Sequence, residues 1–149
     1  MKRSLALQPL SRDHHKGLEV ALRLRRASAE TAPQAGGAFL DYWRRHGRHH
    51  FRSEEEILLP AFALYGDSRH PLVARVLLDH LAIRAKAREL DEDADQPLEA
   101  LQELGLQLAD HIRLEERELF PLIEATIPID PLTKVAEELD HAEHRSGDG

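Results

Sequence analysis

His50-Phe51-Arg52-Ser53-Glu54-Glu55, followed by an apolar run to Pro60, returns sixty-one residues later as His111-Ile112-Arg113-Leu114-Glu115-Glu116, followed by an apolar run to Pro121. Both copies read H-x-x-x-E-E, and in both a proline stands ten residues after the histidine. A histidine and a glutamate at i and i+4 lie about one helical turn apart, roughly 40° from a common line along the helix. On one helix face the pair forms a two-toothed clamp for a metal ion. Two clamps in one chain imply two metals or one shared centre.

Working outward, hydrophobic periodicity predicts four long helices. The second, about 38–65, carries a stripe of Phe39, Trp43, His46, His50, Glu54, Ile57, Ala61 and Leu64. The fourth, about 97–125, repeats that register with Ala100, Leu104, Gln107, His111, Glu115, Glu118 and Leu122. The first, about 11–29, is capped by Ser11, with Asp13 near its positive end. Its apolar arc centres on His14, and His15 is the alternative inward residue. The third, about 71–90, presents Val73, Val76, Leu77, His80, Ile83, Arg84 and Ala87.

Residues 1–10 read as an irregular arm, and Thr31 to Gly37 as a turn. A short fifth helix is expected at about 130–140, before a polar tail. No apolar alternation argues for strands. The expected fold is all-α: one domain over 1–149, with an up-down-up-down antiparallel four-helix bundle at about 10–125 and the fifth helix behind it.

The chain has 149 residues, a formal charge of −7 and no cysteine. Any metal must therefore be held by nitrogen and oxygen. Lys and Arg are spread along the chain without a basic block, which argues against nucleic acid as a partner. No apolar run reaches the roughly 18 residues that span a bilayer. The N-terminus lacks the apolar segment of a signal peptide. A soluble, cytoplasmic protein is expected.

Each half has one layout: a helix with an inward histidine, then a helix with an inward H-x-x-x-E. The halves contribute His14, His50 and Glu54, then His80, His111 and Glu115. Two hairpins related by a pseudo-two-fold would bring all six to one depth. Burying two carboxylates and four imidazoles is costly unless they are paired or ligate cations. Two divalent metals would compensate, and imidazole with carboxylate suits iron, manganese or zinc. Two bridging carboxylates and two histidines per metal leave positions open for a small ligand such as O2, NO or peroxide. Ferritin-like centres differ, because they use Glu-x-x-His at i, i+3.

The ordered set His14, His50-x-x-x-Glu54, His80 and His111-x-x-x-Glu115 resembles the hemerythrin-like (HHE cation-binding) family over about residues 10–125. The resemblance implies a four-helix bundle with a non-haem di-iron centre. The four histidines would be terminal ligands and the two glutamates bridges. Oxygen-carrying members place a second histidine one turn after the third-helix ligand, where this chain has Arg84, which cannot ligate a metal. They also place an aspartate where Glu116 stands. The pattern is closer to six-ligand members, associated with iron or oxygen sensing, NO or peroxide reactions and iron handling. A non-catalytic iron sensor or buffer is thus the alternative function.

The neighbouring residues receive plainer readings. His46 is expected to support the site through a hydrogen bond, with a seventh ligand as the alternative. Glu55, Glu56 and Glu116 are expected in solvent. Glu118 would pair with Arg84 or Arg25, and Gln107 would make a polar contact in the core. Phe39, Trp43 and Leu104 are read as core residues that wall the pocket.

Overall fold

The computed structural model describes residues 3–147, with side chains described through 144. Among the described residues the regular structure is entirely helical, in five helices. Helix α1 is Gln8–Arg25. Helix α2 covers 32–65 and α4 covers 98–126, both continuous but interrupted by π-helical turns. Helix α3 is Pro71–Glu92 and α5 is Ile129–Gly147. No helix is long and apolar enough to cross a membrane.

Three ends differ from the sequence reading. Helix α1 begins before Ser11, with Pro9 in its first turn, where a missing N–H costs nothing. The arm before it is tied down, since Ser4 N donates to Glu124 Oε2 at 2.6 Å and Leu7 is fully buried. The segment Thr31 to Gly37 is the start of α2 rather than a turn, with Pro33 in the first turn. Gly36 packs there against Leu90 and Leu101, whose methyls lie 3.7 and 3.9 Å from the place a Cβ would take. Burial of that face overrides the weak propensity of two glycines. Helix α5 extends well past 140 because Leu132, Val135, Leu139 and Ala142 form a buried stripe.

The π turns change which residues face inward. They span Trp43–Gly47, Glu54–Leu58 and Glu115–Leu119. Pro60 and Pro121 follow the last two. A proline cannot donate to the carbonyl four residues back, and its ring presses on that carbonyl. A wider turn relieves the clash and inserts an extra residue into the helical phase. The buried stripe therefore slips by one position. After Glu54 it continues through Leu58 and Phe62, not Ile57, Ala61 and Leu64, and Leu64 is 80 % exposed. After Glu115 it continues through Leu119 and Ile123, not Glu118 and Leu122. The turn at Trp43–Gly47 likewise puts Gly47 inside and moves His46 off the stripe.

Two apolar clusters result. One contains Ala21, Leu24, Phe39, Phe51, Ile83 and Leu108, and the other Leu7, Leu10, Leu58, Phe62, Val76 and Leu119. Each of the first four helices crosses from one cluster to the other. In each, the crossing is marked by a buried histidine, and in α2 and α4 also by a buried glutamate. Helix α5 covers the second cluster with Leu132, Val135 and Leu139.

Two glycines test this packing. Gly105 in α4 lies so close to α1 that a Cβ would stand 2.6 Å from the Ala21 carbonyl and 2.8 Å from Leu24 Cβ. Gly105→Ala should destabilise the protein by about 1–3 kcal/mol, because backbone cannot move aside cheaply. Gly37 has nothing within 4 Å, so Gly37→Ala should stabilise by about 0.5–1 kcal/mol if 32–42 is helical. Urea denaturation checks both, and loss of stability in Gly37→Ala would contradict the helical assignment.

Candidate metal centre

All six residues singled out by the repeat converge where the two clusters meet, and none is more than 3 % exposed. His14 is buried and His15 is exposed, which decides between them. The residues form two overlapping groups whose ligand-type atoms lie within 4.8 Å of one another. One group is His14, His50, Glu54 and Glu115; the other is Glu54, His80, His111 and Glu115. Glu54 and Glu115 belong to both.

Every imidazole aims Nε2 at a shared carboxylate. His14 Nε2 lies 2.9 Å and His111 Nε2 3.6 Å from Glu115 Oε1. His80 Nε2 lies 3.1 Å from Glu54 Oε1, and His50 Nε2 3.4 Å from Glu54 Oε2. Only the His14 contact is aligned as a hydrogen bond. Nε2 of His50, His80 and His111, both Glu54 oxygens and Glu115 Oε2 are buried without a hydrogen-bond partner. Buried polar atoms are ordinarily satisfied, because an unpaired one costs about 1–3 kcal/mol. Six such atoms around one point are a donor set of nitrogen and oxygen suited to a cation.

The opposite edge of each ring is held by a second acid. His50 Nδ1 meets Asp13 Oδ2 at 3.1 Å, and His111 Nδ1 meets Asp79 Oδ2 at 3.0 Å. His80 Nδ1 meets Glu55 Oε2 at 2.7 Å, and His14 Nδ1 meets Glu116 Oε1 at 2.8 Å. A carboxylate that accepts from Nδ1–H fixes the tautomer and leaves the Nε2 lone pair free.

Glu55 and Glu116 are therefore not the solvated residues expected from their helical angles; both are partly buried partners of ligand-type histidines. Glu56 does lie in solvent, paired with Arg52. The other two acids, Asp13 and Asp79, were missed, although a signal was present. An aspartate precedes the inward histidine in α1 and α3, and a glutamate follows the inward glutamate in α2 and α4. Each of these acids serves a histidine on another helix, so its role is invisible along any single helix.

The neighbouring residues also resolve. Arg84 Nη2 donates to Glu55 at 3.0 and 3.1 Å, not to Glu118, which is exposed. Arg3 Nη2 reaches Glu116 Oε2 at 3.0 Å. His46 stands apart from both groups, with Nε2 3.4 Å from Lys16 Nζ. Phe39, Trp43 and Leu104 are core, and the aromatic walls of the site are Phe51 and Phe120. Phe51 stacks on His80 at 3.8 Å between centroids, and Phe120 on His14 at 5.3 Å.

The electrostatics follow from this wiring. Burial opposes charge on His14, His50 and His80, but facing carboxylates outweigh it and raise all three pKa values. For His50 the Glu54 charge and the Asp13 hydrogen bond hold it well above 6.5. Burial would raise Glu115, but the surrounding histidines hold it well below the usual carboxylate range. Glu116, against the same opposing burial, is pulled down to about 2 by its bond to His14. Facing carboxylates thus favour the charged form of His14, His50 and His80, and facing imidazoles favour the charged form of Glu115 and Glu116.

The model of the hemerythrin HHE cation-binding domain matches residues 6–123, most of the chain and all six convergent residues. No curated protein and no solved structure matches it. The chain belongs to the hemerythrin family of HHE domains, which bind metal cations.

Proposed function

We propose that this protein holds two iron ions, each by two histidines, with Glu54 and Glu115 bridging them, and offers them to a small ligand such as O2, NO or peroxide. The observation that carries this reading is the ring of buried, unpartnered Nε2 and carboxylate oxygen atoms, each imidazole fixed from behind through Nδ1. Six carboxylates surround the site and three of them are paired with Arg3, Arg75 and Arg84, so negative charge remains for bound cations to neutralise. Zinc or manganese would fit the same nitrogen and oxygen donors.

Bound iron would supply the redox and ligand-binding chemistry. The chain supplies the rest. Phe51 and Phe120 cover the histidine faces and exclude water. Asp13 and Asp79 hold the Nδ1 protons of His50 and His111. Both acids also line surface cavities, of about 250 and 450 Å3, so those protons have a path to solvent. Arg84 is committed to Glu55 and leaves five-nitrogen coordination, and with it reversible oxygen carriage, unsupported. Sensing or reaction is favoured.

The alternation of clusters along the chain supports an up-down-up-down antiparallel bundle in one domain. Helices α1 and α3 run from the second cluster to the first, and α2 and α4 run back. The same placement favours a second reading, an iron sensor or buffer. The site joins two cores, so occupancy would set how firmly they are held together.

Elemental analysis of protein expressed in iron-supplemented medium should give two irons per chain. Azide should perturb the visible charge-transfer spectrum of that protein. Metal near zero per chain would overturn the proposal, and two irons with a spectrum indifferent to azide would leave the buffer reading.

The metal-free protein should show the opposite pH dependence to the loaded one. Histidine pKa values raised above 6.5 add stability that is full below that pH and lost as pH rises through the folded values. The lowered values of Glu115 and Glu116 add stability that is present above 4.5 and lost as pH falls through the folded values, about 2 for Glu116. The metal-free melting temperature should therefore fall from about pH 6 to about pH 9. Cation binding needs free Nε2 atoms and strengthens over that range. The gap between loaded and free melting temperatures should widen, and a metal-free melting temperature that rises would contradict the assignment.

A further inference from the structure

Arg84 faces two ways. Its Nη2 is bonded to Glu55, while Nε and Nη1 have no partner among the described residues. Its guanidinium carbon stands 5.8 Å from the centroids of Trp43 and Phe51. It also lines a cleft of about 280 Å3 between α2 and α3, together with Trp43, Arg44, Arg48, Arg88 and Asp91. In a chain of net charge −7, this lining holds four guanidiniums against one carboxylate.

The existing partners are weakly held. Arg44 pairs with Asp91 and Arg88 with Glu92, but all four side chains are more than half exposed. Exposed pairs of this kind contribute about 0–1 kcal/mol and exchange readily. Arg48 has no ion pair among the described residues. Guanidinium forks match the oxygens of phosphate and carboxylate. One carboxylate occupies one fork, whereas a phosphate dianion presents three oxygens to forks arriving from two helices.

We propose that this cleft binds a small phosphate-bearing anion, and that Arg84 couples it to the metal centre through Glu55 and His80. An anion on the free edge of Arg84 competes for the charge that now neutralises Glu55. Glu55 then accepts more strongly from His80 Nδ1, and His80 Nε2 becomes a better donor to a cation. The coupling rests on the metal reading above; the anion site does not. A nucleic acid is disfavoured by the acidic chain around a single small cleft.

The chain's one tryptophan lines the cleft, so its fluorescence reports occupancy directly. Full-length protein, metal-free and zinc-loaded, is titrated at constant ionic strength with inorganic phosphate and with glycerol 2-phosphate. A saturable change is expected, and the tighter probe shows whether the free ion or an ester is preferred. Arg48→Ala/Arg88→Ala, both at exposed positions, should weaken binding about tenfold or more, as expected for loss of charge-assisted hydrogen bonds. No saturable change, unchanged affinity in the double variant, or displacement by a short DNA duplex at equal phosphate concentration would overturn the site. Linkage requires zinc and phosphate to alter each other's affinity by one factor. Metal-free and zinc-loaded affinities should differ in the wild type and coincide in Glu55→Gln. Equal affinities in the wild type would overturn the coupling while the anion site stands.

Discussion

The bond between a carboxylate and Nδ1 of a buried histidine is the interaction on which the site depends. It occurs four times, through Asp13, Glu55, Asp79 and Glu116. Each bond orients its ring, so that Nδ1 faces the outer acid and Nε2 faces a shared glutamate. The four bonds also link the halves of the chain. Asp13 and Asp79 hold the histidine of the following helix, while Glu55 and Glu116 hold a histidine of the other half. Four helices are thereby tied at one level, between the two apolar clusters.

Such a polar layer is expensive, and the fold confines the expense. Apolar clusters close it above and below, and Phe51 and Phe120 lie directly on the rings of His80 and His14. The shared glutamates open the two π turns that the prolines require. A π turn at a functional position is a local distortion with a use. It lets the stripe that delivers His50 and Glu54 continue into Leu58 and Phe62, so one helix face serves both the site and the core beyond it.

Much of this was legible in the sequence, for a physical reason. A histidine and a glutamate one turn apart, twice, on stripes of apolar residues, leave few arrangements that avoid an unpaired buried charge. The six inward residues and the helical class follow from that. The slip after each glutamate was not read, although Pro60 and Pro121 signalled it, because a straight 3.6-residue period carries no account of a wider turn. Glu55 and Glu116 were placed in solvent by the same straight-helix angles. Their role arises between helices, and so does that of Asp13 and Asp79. The segment from Thr31 to Gly37 reads as a turn because glycine and proline weigh as turn signals until burial of Gly36 against Leu90 and Leu101 is known.

Nitrogen-15 NMR of the histidine rings in the zinc-loaded protein reads the four Nδ1–carboxylate bonds most directly. His14, His50, His80 and His111 should all carry the proton on Nδ1, with Nε2 shifted by a bound cation. A proton on Nε2 of any of these four histidines, with zinc bound at two per chain, would contradict this assignment.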